Sequence, residues 1–150
     1  RMGYPTEDDE LAILRRFKTA EPLADLAPVA TAADVLALQT AIRQVNWHPV
    51  VERYLLGLVQ ATRTHAAIEI GASPRATLAL HRAAEALAAI QGRDFVLPDD
   101  VQRLAVPVLA HRLILKTSAR LAAQSADTVM RAIVQTVPVP TETTAPPPGR

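Results

Sequence analysis

The sequence predicts an all-α domain, because most of its hydrophobic residues are good helix formers placed at helical spacing. Of the 150 residues, 49% are hydrophobic but only 3% are aromatic, so Ala, Leu and Val must fill the core. Ala and Leu favour helix, and no segment is rich in alternating β-branched residues as a strand would be. A chain of this length can bury a core of its own. We therefore expect a small bundle of about five to six helices over residues 1–137.

The first two predicted helices begin at threonines that can cap them. Thr6 precedes four acidic residues, 7–10, which suit the positive end of a helix. Residues 20–28, which include two prolines, are interpreted as an exposed connector. Thr31 then precedes the second helix, with Asp34 at its third helical position. The hydrophobic residues of this helix form one apolar stripe: Val35, Leu38, Ile42 and Val45.

A third helix is predicted to begin at Pro49, after residues 46–48 break the second helix. Proline is tolerated in the first turn, where a backbone N–H has no partner within the helix in any case. One face of this helix is formed by four residues at helical spacing: Val51, Leu55, Leu58 and Thr62. Residues 63–71 follow as a connector in which no element is predicted.

The fourth predicted helix has clear signals at both ends. Ser73 can cap its start with Pro74 at the first helical position, and Gly92 can stop it after about Gln91. Its buried stripe is predicted from five residues: Ala76, Leu80, Ala83, Leu87 and Ile90. The sequence therefore predicts a helix of about five turns that begins directly after residues 71–73.

Two further helices and a tail complete the predicted chain. Pro98 opens a fifth helix, with Asp99–Asp100 at its positive end. Ser125 or Asp127 can cap a last helix. Residues 138–150 are rich in proline and show no hydrophobic periodicity, which predicts a disordered tail.

Composition and charge argue against several classes of function. Sixteen basic and fifteen acidic residues give a net charge of +1, whereas a nucleic-acid binder usually carries a strongly basic face. The absence of cysteine excludes disulfides and thiolate metal sites. The four histidines are spread along the chain without metal-ligand spacing, so we predict surface or locally bonded histidines and no metal site. With no signal peptide and no apolar run that could span a bilayer, we expect a cytoplasmic protein without a membrane partner.

The sequence also lacks a catalytic apparatus of its own. It contains no G-x-x-x-x-G-K-[ST] phosphate loop. Gly71–Ser73 does not continue as a nucleophile elbow, because Arg75 stands where that motif needs glycine. The acidic pair Asp99–Asp100 is explained by the helix dipole. We therefore expect no enzyme activity from this chain by itself.

Arg75 is the strongest candidate for a functional residue. In the first turn of a helix the dipole disfavours a cation by a few tenths of a kcal/mol up to about 1 kcal/mol. Helical geometry sets Arg75 roughly 110° from the centre of the predicted buried stripe and on the same face as Arg82. Free amides after Ser73 and a guanidinium together suit a phosphate. From the residues alone, a phosphate ligand and a solvated surface arginine are equally open.

Several short motifs follow one another along the chain. They are Gly71–Ala76, Ala83–Ala84, Gly92–Val96, Pro98–Val101 and Leu109–Leu113. Together with the opening residues 1–5 and the ending Val137–Pro140, they resemble in order and spacing the C-terminal helical lid of MoxR-type AAA+ ATPases. The resemblance spans nearly the whole chain. It implies an AAA+ lid subdomain over residues 1–137, in which residues 1–5 are the hinge from an ATPase core upstream.

The resemblance implies a role for Arg75. In that family the arginine of the Gly-Ala-Ser-Pro-Arg motif is the sensor 2 residue, so Arg75 would reach the γ-phosphate of ATP on the neighbouring large subdomain. Pro74 and Tyr4 are weaker candidates for flanking the adenine. The full-length protein would bind ATP and Mg²⁺, which this chain would not hold tightly. The sequence departs from the family at Leu97, where a capping threonine is common, so the fifth helix is expected to start less rigidly.

The resemblance also implies a parent protein that hydrolyses ATP. It would be a chaperone-like machine, in a hexameric ring, that remodels client proteins or assembles complexes. The partners of this lid would be its own N-terminal ATPase core, other copies in the ring and an unspecified client. Two alternatives stay open: a helical protein-interaction domain with no nucleotide role, and a helix-turn-helix nucleic-acid module. The second is disfavoured, because neither the second nor the fourth predicted helix has a strongly basic face.

Overall fold

The computed structural model describes residues 3–19, 23 and 26–140 of the chain. This part holds seven α-helices, one 3-10 turn and two short strands. In order they are α1 (Glu7–Thr19), α2 (Ala32–Ile42), α3 (Pro49–Thr64), β1 (Ile68–Ile70), α4 (Pro74–Ile90), α5 (Pro98–Leu109), the 3-10 turn (Ala110–Arg112), β2 (Ile114–Leu115), α6 (Thr117–Leu121) and α7 (Ala126–Thr136). The predicted all-α class is confirmed, since helix dominates.

Some predictions fall on residues whose structure is not described. These are the first two residues of the predicted hinge, most of the connector between α1 and α2, and the tail from residue 141 onward. The chain divides into two compact units, Arg1–Ala37 and Leu38–Arg150, with the division inside α2. The predicted boundary between a lid over 1–137 and a tail over 138–150 stays a prediction.

The first unit contains α1 and the start of α2, and both helices begin at the predicted threonine caps. The Asp9 amide donates to Thr6 Oγ1 at 3.3 Å, and the Thr6 hydroxyl donates back to the Asp9 carboxylate at 2.6 Å. Thr31 and Asp34 repeat this arrangement at 3.2 and 2.7 Å. The bond to each threonine hydroxyl satisfies an amide that has no partner within the helix, and the return bond holds the hydroxyl in place. The predicted apolar stripe of α2 is only partly buried: Val35 and Leu38 are exposed and Ile42 is half-buried. The last residue of the stripe, Val45, lies beyond the end of α2 and is buried in the core.

In the second unit, the core lies among α3, α4, α5 and α7. The predicted face of α3 is confirmed, because Val51, Leu55, Leu58 and Thr62 are all buried. Helix α7 contributes Val129, Met130 and Ile133 to the same core. Ser125, and not Asp127, caps α7, because its hydroxyl accepts a hydrogen bond from the Thr128 amide at 3.1 Å.

The predicted buried stripe of α4 is partly wrong. The buried residues are spaced four apart: Ala76, Leu80, Ala84 and Ala88. Ala83 and Leu87 are only half-buried, and Ile90 is 81% exposed. A row of residues four apart is a natural packing ridge of a helix, and small alanines along it allow a neighbouring helix to approach closely. Helix α4 therefore packs against α3 and α5 along this alanine row.

The strands β1 and β2 form an antiparallel pair that the sequence did not predict. Ile68 lies opposite Leu115 in this pair, and the Lys116 amide donates to the Ala67 carbonyl at 3.0 Å. Strand β1 lies within residues 63–71, the predicted connector, and α3 extends as far as Thr64. Strand β1 thus carries the chain from the end of α3 to the start of α4.

Candidate functional site

Arg75 is the second residue of α4, and its side chain is exposed. Ser73 caps the helix as predicted, because its hydroxyl accepts a hydrogen bond from the Ala76 amide at 3.3 Å. Among the described residues, the Arg75 guanidinium forms no hydrogen bond and no ion pair. Its donors are therefore available to a ligand.

The first turn of α4 offers fewer free amides than the sequence suggested. Pro74 has no N–H, and the amides of Ala76 and Thr77 both donate to the carbonyl of Ser73, at 2.9 and 3.1 Å. The guanidinium of Arg75 is consequently the main hydrogen-bond donor at this helix end. A phosphate held here would depend on the planar fork more than on backbone amides.

Gly71 allows a very close contact between the segment before α4 and the end of α3. A Cβ atom added to Gly71 would lie 2.7 Å from Arg63 Cα and 2.8 Å from Thr62 O. Both of these are backbone atoms, which cannot move aside as a flexible side chain can. Only glycine fits at this position, which gives a physical reason for the glycine that opens the Gly-Ala-Ser-Pro-Arg motif.

Ala72, the next residue, is held on both sides by the end of α3. Its amide donates to Thr62 Oγ1 at 2.9 Å, and its carbonyl accepts from Arg63 Nε at 2.9 Å. The Thr62 hydroxyl in turn donates to the Val59 carbonyl at 2.6 Å, and Thr62 is fully buried. The backbone three residues before Arg75 is therefore fastened to α3.

The other predicted site residues lie in different places. Pro74 is exposed beside Arg75 at the start of α4. Tyr4 is 99% exposed and belongs to the first unit, whereas Pro74 and Arg75 belong to the second. Arg82 is exposed seven residues after Arg75 and lines an open cleft of about 720 Å³. The other lining residues of this cleft come from α4 and from the region of α2: Gln39, Ile42, Arg43, Leu78, His81, Glu85 and Ala86.

Two histidines make local hydrogen bonds, as predicted, and a third also makes a contact between distant parts of the sequence. His48 caps α3, since its Nδ1 accepts from the Val50 amide at 3.3 Å, and His65 accepts from the Ala67 amide in the same way at 3.2 Å. His81 stacks on Trp47 with ring centroids 4.2 Å apart, and its Nδ1 lies 3.2 Å from Glu85 Oε1. The residues in view show no group of three or more His, Asp or Glu side chains that could hold a metal ion.

The buried ion pair between Arg93 and Asp100 was missed by the sequence analysis. Arg93 donates to both carboxylate oxygens of Asp100, at 2.7 and 2.8 Å, and the Asp100 side chain is only 5% exposed. These hydrogen bonds raise the pKa of Arg93 above its ordinary value. Asp100 also accepts from the Leu97 amide at 2.9 Å. The helix dipole is therefore only part of the reason for Asp100, and the start of α5 is held although Leu97 offers no capping side chain.

Comparison with known proteins identifies a family and several relatives that this chain matches. Residues 60–133 match the AAA lid domain family. The chain is 37% identical over 145 residues to YeaC of Bacillus subtilis, covering 97% of this chain and 45% of that protein. It is 33% identical over 148 residues to the chaperone MoxR1 of Mycobacterium tuberculosis, covering 93% of this chain and 39% of that protein.

A solved structure agrees with these sequence matches. The crystal structure of "a putative ATPase from Cytophaga hutchinsonii" superposes with a TM-score of 0.83 at 30% sequence identity. The match covers 93% of this chain and 45% of that one. The chain thus spans less than half the length of each relative it matches here. Within the described residues, no helix is long and apolar enough to cross a membrane.

Proposed function

Because the chain belongs to the MoxR family of AAA+ ATPases, as its helical lid domain, we propose that it closes over ATP held by a phosphate-loop subdomain of the full-length protein. Closure and opening of the lid couple ATP hydrolysis to chaperone-like remodelling of a client protein or to complex assembly. Arg75 serves as the sensor 2 residue of this lid, and it contacts the γ-phosphate.

The observation that supports this proposal best is the exposed, unpaired position of the Arg75 guanidinium among the described residues. Arg75 is an exposed cation at the positive end of a helix, without a polar partner among the described residues, and the backbone before it is fastened to α3. Such a cation is disfavoured by the helix dipole unless an anion binds to it. A planar guanidinium can contact two phosphate oxygens at once and can stabilise the charge that develops in phosphoryl transfer.

The proposal also explains how nucleotide state could move the lid. Arg75 contacts the γ-phosphate only when the lid is closed, so ATP favours the closed state and loss of the γ-phosphate favours opening. ATP and Mg²⁺ are held by the ATPase core, in a ring of subunits that is hexameric in this proposal. Pro74 and, separately, Tyr4 are the weaker candidates for a contact with the adenine.

Replacement of Arg75 in the full-length protein tests this function. For Arg75→Ala we expect kcat for ATP hydrolysis to fall on the order of 100-fold, because a donor that acts in the transition state is lost. Arg75→Lys keeps the charge without the fork, so its kcat should be intermediate. Arg103→Ala is the matched control, because Arg103 is an exposed arginine on α5. If Arg75→Ala hydrolysed ATP as fast as the unmodified protein, the sensor role would be wrong.

A further inference from the structure

We infer that Thr62 and Arg63, the residues near the end of α3, are positioning residues that hold Arg75 in its direction toward the nucleotide. This inference rests on the proposed function of Arg75. Neither residue is assigned a role by the resemblance or by the comparisons. Both residues bond to Ala72, which lies three positions before Arg75, after the chain has passed from α3 through β1.

The Thr62 hydroxyl makes two hydrogen bonds that differ in their consequence. It donates to the Val59 carbonyl within α3 at 2.6 Å, and it accepts from the Ala72 amide at 2.9 Å. The first bond is local and orients the hydroxyl, so that a lone pair points at Ala72. The second joins α3 to the segment that leads into α4. A valine of the same shape would fill the buried space but would leave the Ala72 amide without this acceptor.

Arg63 completes the attachment from the opposite side of the same peptide segment. Its Nε donates to the Ala72 carbonyl at 2.9 Å, so both backbone polar groups of Ala72 are bound by neighbouring residues of α3. Gly71 brings the segment close enough for this, since its Cα lies against the α3 backbone. The attachment acts on backbone, and it therefore fixes the path of the chain whatever side chain follows.

Two residues, Ser73 and Pro74, separate Ala72 from Arg75, and they leave the backbone little conformational freedom. Ser73 caps α4 by accepting from the Ala76 amide, and Pro74 has a fixed φ angle. A shift of Ala72 would therefore be carried to Arg75 with the start of the helix. Because catalytic donors must lie within a fraction of an ångström of their productive position, such a shift should lower kcat.

A double-mutant cycle in the full-length protein tests this inference. For Thr62→Val we expect kcat to fall by about 3- to 10-fold with KM changed less than about twofold, because binding of ATP by the core is unaffected. Thr62→Ser keeps the hydroxyl and should restore kcat. In an Arg75→Ala background, Thr62→Val should have no further effect on kcat, because a residue that acts only through Arg75 has nothing left to position. Arg63→Ala should follow the same pattern.

Ile133→Val, in the core on α7, provides the control for a general loss of stability. If it lowered kcat as much as Thr62→Val, or if Thr62→Val still lowered kcat in the Arg75→Ala background, the positioning role would be wrong. If Arg75→Ala lowered kcat but Thr62→Val did not, this inference alone would be wrong. If Arg75→Ala left kcat unchanged, the proposed function would be wrong, and this inference would be wrong with it.

Discussion

At the scale of single residues, Gly71 gives the sharpest prediction about stability. The Cβ of Gly71→Ala would lie 2.7–2.8 Å from backbone atoms of Thr62 and Arg63. We therefore expect this change to lower the free energy of unfolding by about 1–3 kcal/mol, as overpacking commonly does. Gly57→Ala is the control, since its Cβ would meet only Val137 Cγ1, at 3.6 Å, and would favour helix α3 by about 0.5–1 kcal/mol. Chemical denaturation of the chain measures both, and equal effects would contradict the close approach at Gly71.

The ion pair of Arg93 and Asp100 gives a second prediction at this scale. Asp100→Ala should lower the free energy of unfolding by about 1–3 kcal/mol, because it removes a buried carboxylate that accepts from both the half-buried Arg93 guanidinium and the Leu97 amide. Asp99→Ala removes an exposed acid from the same turn and should cost only a few tenths of a kcal/mol. Thermal or denaturant unfolding of the two variants measures the difference. Similar losses would show that Asp100 acts only through the helix dipole.

These residues also show which contacts could be predicted from the sequence. Thr6, Thr31 and Ser73 bond to amides three residues away, so each cap is visible in a short stretch of sequence. The bonds from Arg93 to Asp100 and from Ala72 to Thr62 join residues seven and ten apart, and they depend on how elements pack. No local spacing rule predicts such bonds. Arg75 could be predicted because a cation in the first turn of a helix is recognised from the few residues around it.

At the scale of elements, the packing of α4 leads to a prediction that separates the observed buried row from the predicted one. Leu80 is fully buried, whereas Ile90 is 81% exposed although it was predicted in the same stripe. Leu80→Ala should lower the free energy of unfolding by about 2–5 kcal/mol, because it opens a cavity in the core. Ile90→Ala should change it by no more than about 0.5 kcal/mol. Denaturation curves of both variants measure these changes. A large loss of unfolding free energy in Ile90→Ala would show that the predicted stripe, and not the observed row, is buried.

The start of α2 gives a prediction about pH. Hydrogen bonds from the Thr31 hydroxyl and amide hold the pKa of Asp34 below its ordinary value. A lowered carboxyl pKa means that this cap stabilises the helix above the ordinary Asp pKa of about 3.9 and is lost as pH falls through the lowered value. NMR titration of the Asp34 carboxyl should show its pKa rising toward the ordinary value in Thr31→Val. An unchanged pKa would mean that the cap is not formed in solution.

The sequence predicted where helices begin better than it predicted which of their faces are buried. Helix starts depend on local caps and prolines, and those of α1, α2, α3, α4 and α5 lie where the sequence predicted. The buried face of α4 depends on the helices that pack against it. Because they pack along the row that contains Ala84 and Ala88, Ile90 lies outside the buried face. Strands of two and three residues, such as β1 and β2, are too short to show a periodicity.

At the scale of the whole molecule, helical composition and the ordered series of short motifs were sufficient for the fold class and the family. They were not sufficient for the nucleotide contacts. Tyr4 and Pro74 belong to different units, so their role at the adenine stays a prediction. The described residues support Arg75 through its exposure, its free guanidinium and its fastened backbone, and these are properties of the lid itself.

Single-turnover hydrolysis of ATP already bound to the full-length protein tests the role of Arg75 most directly, because it separates the chemical step from binding and product release. We expect Arg75→Ala to bind ATP but to cleave it on the order of 100-fold more slowly than the unmodified protein. The Arg103→Ala control should cleave it at the unmodified rate. If Arg75→Ala cleaved ATP at the unmodified rate, the sensor role would be wrong and Arg75 would be a solvated surface arginine.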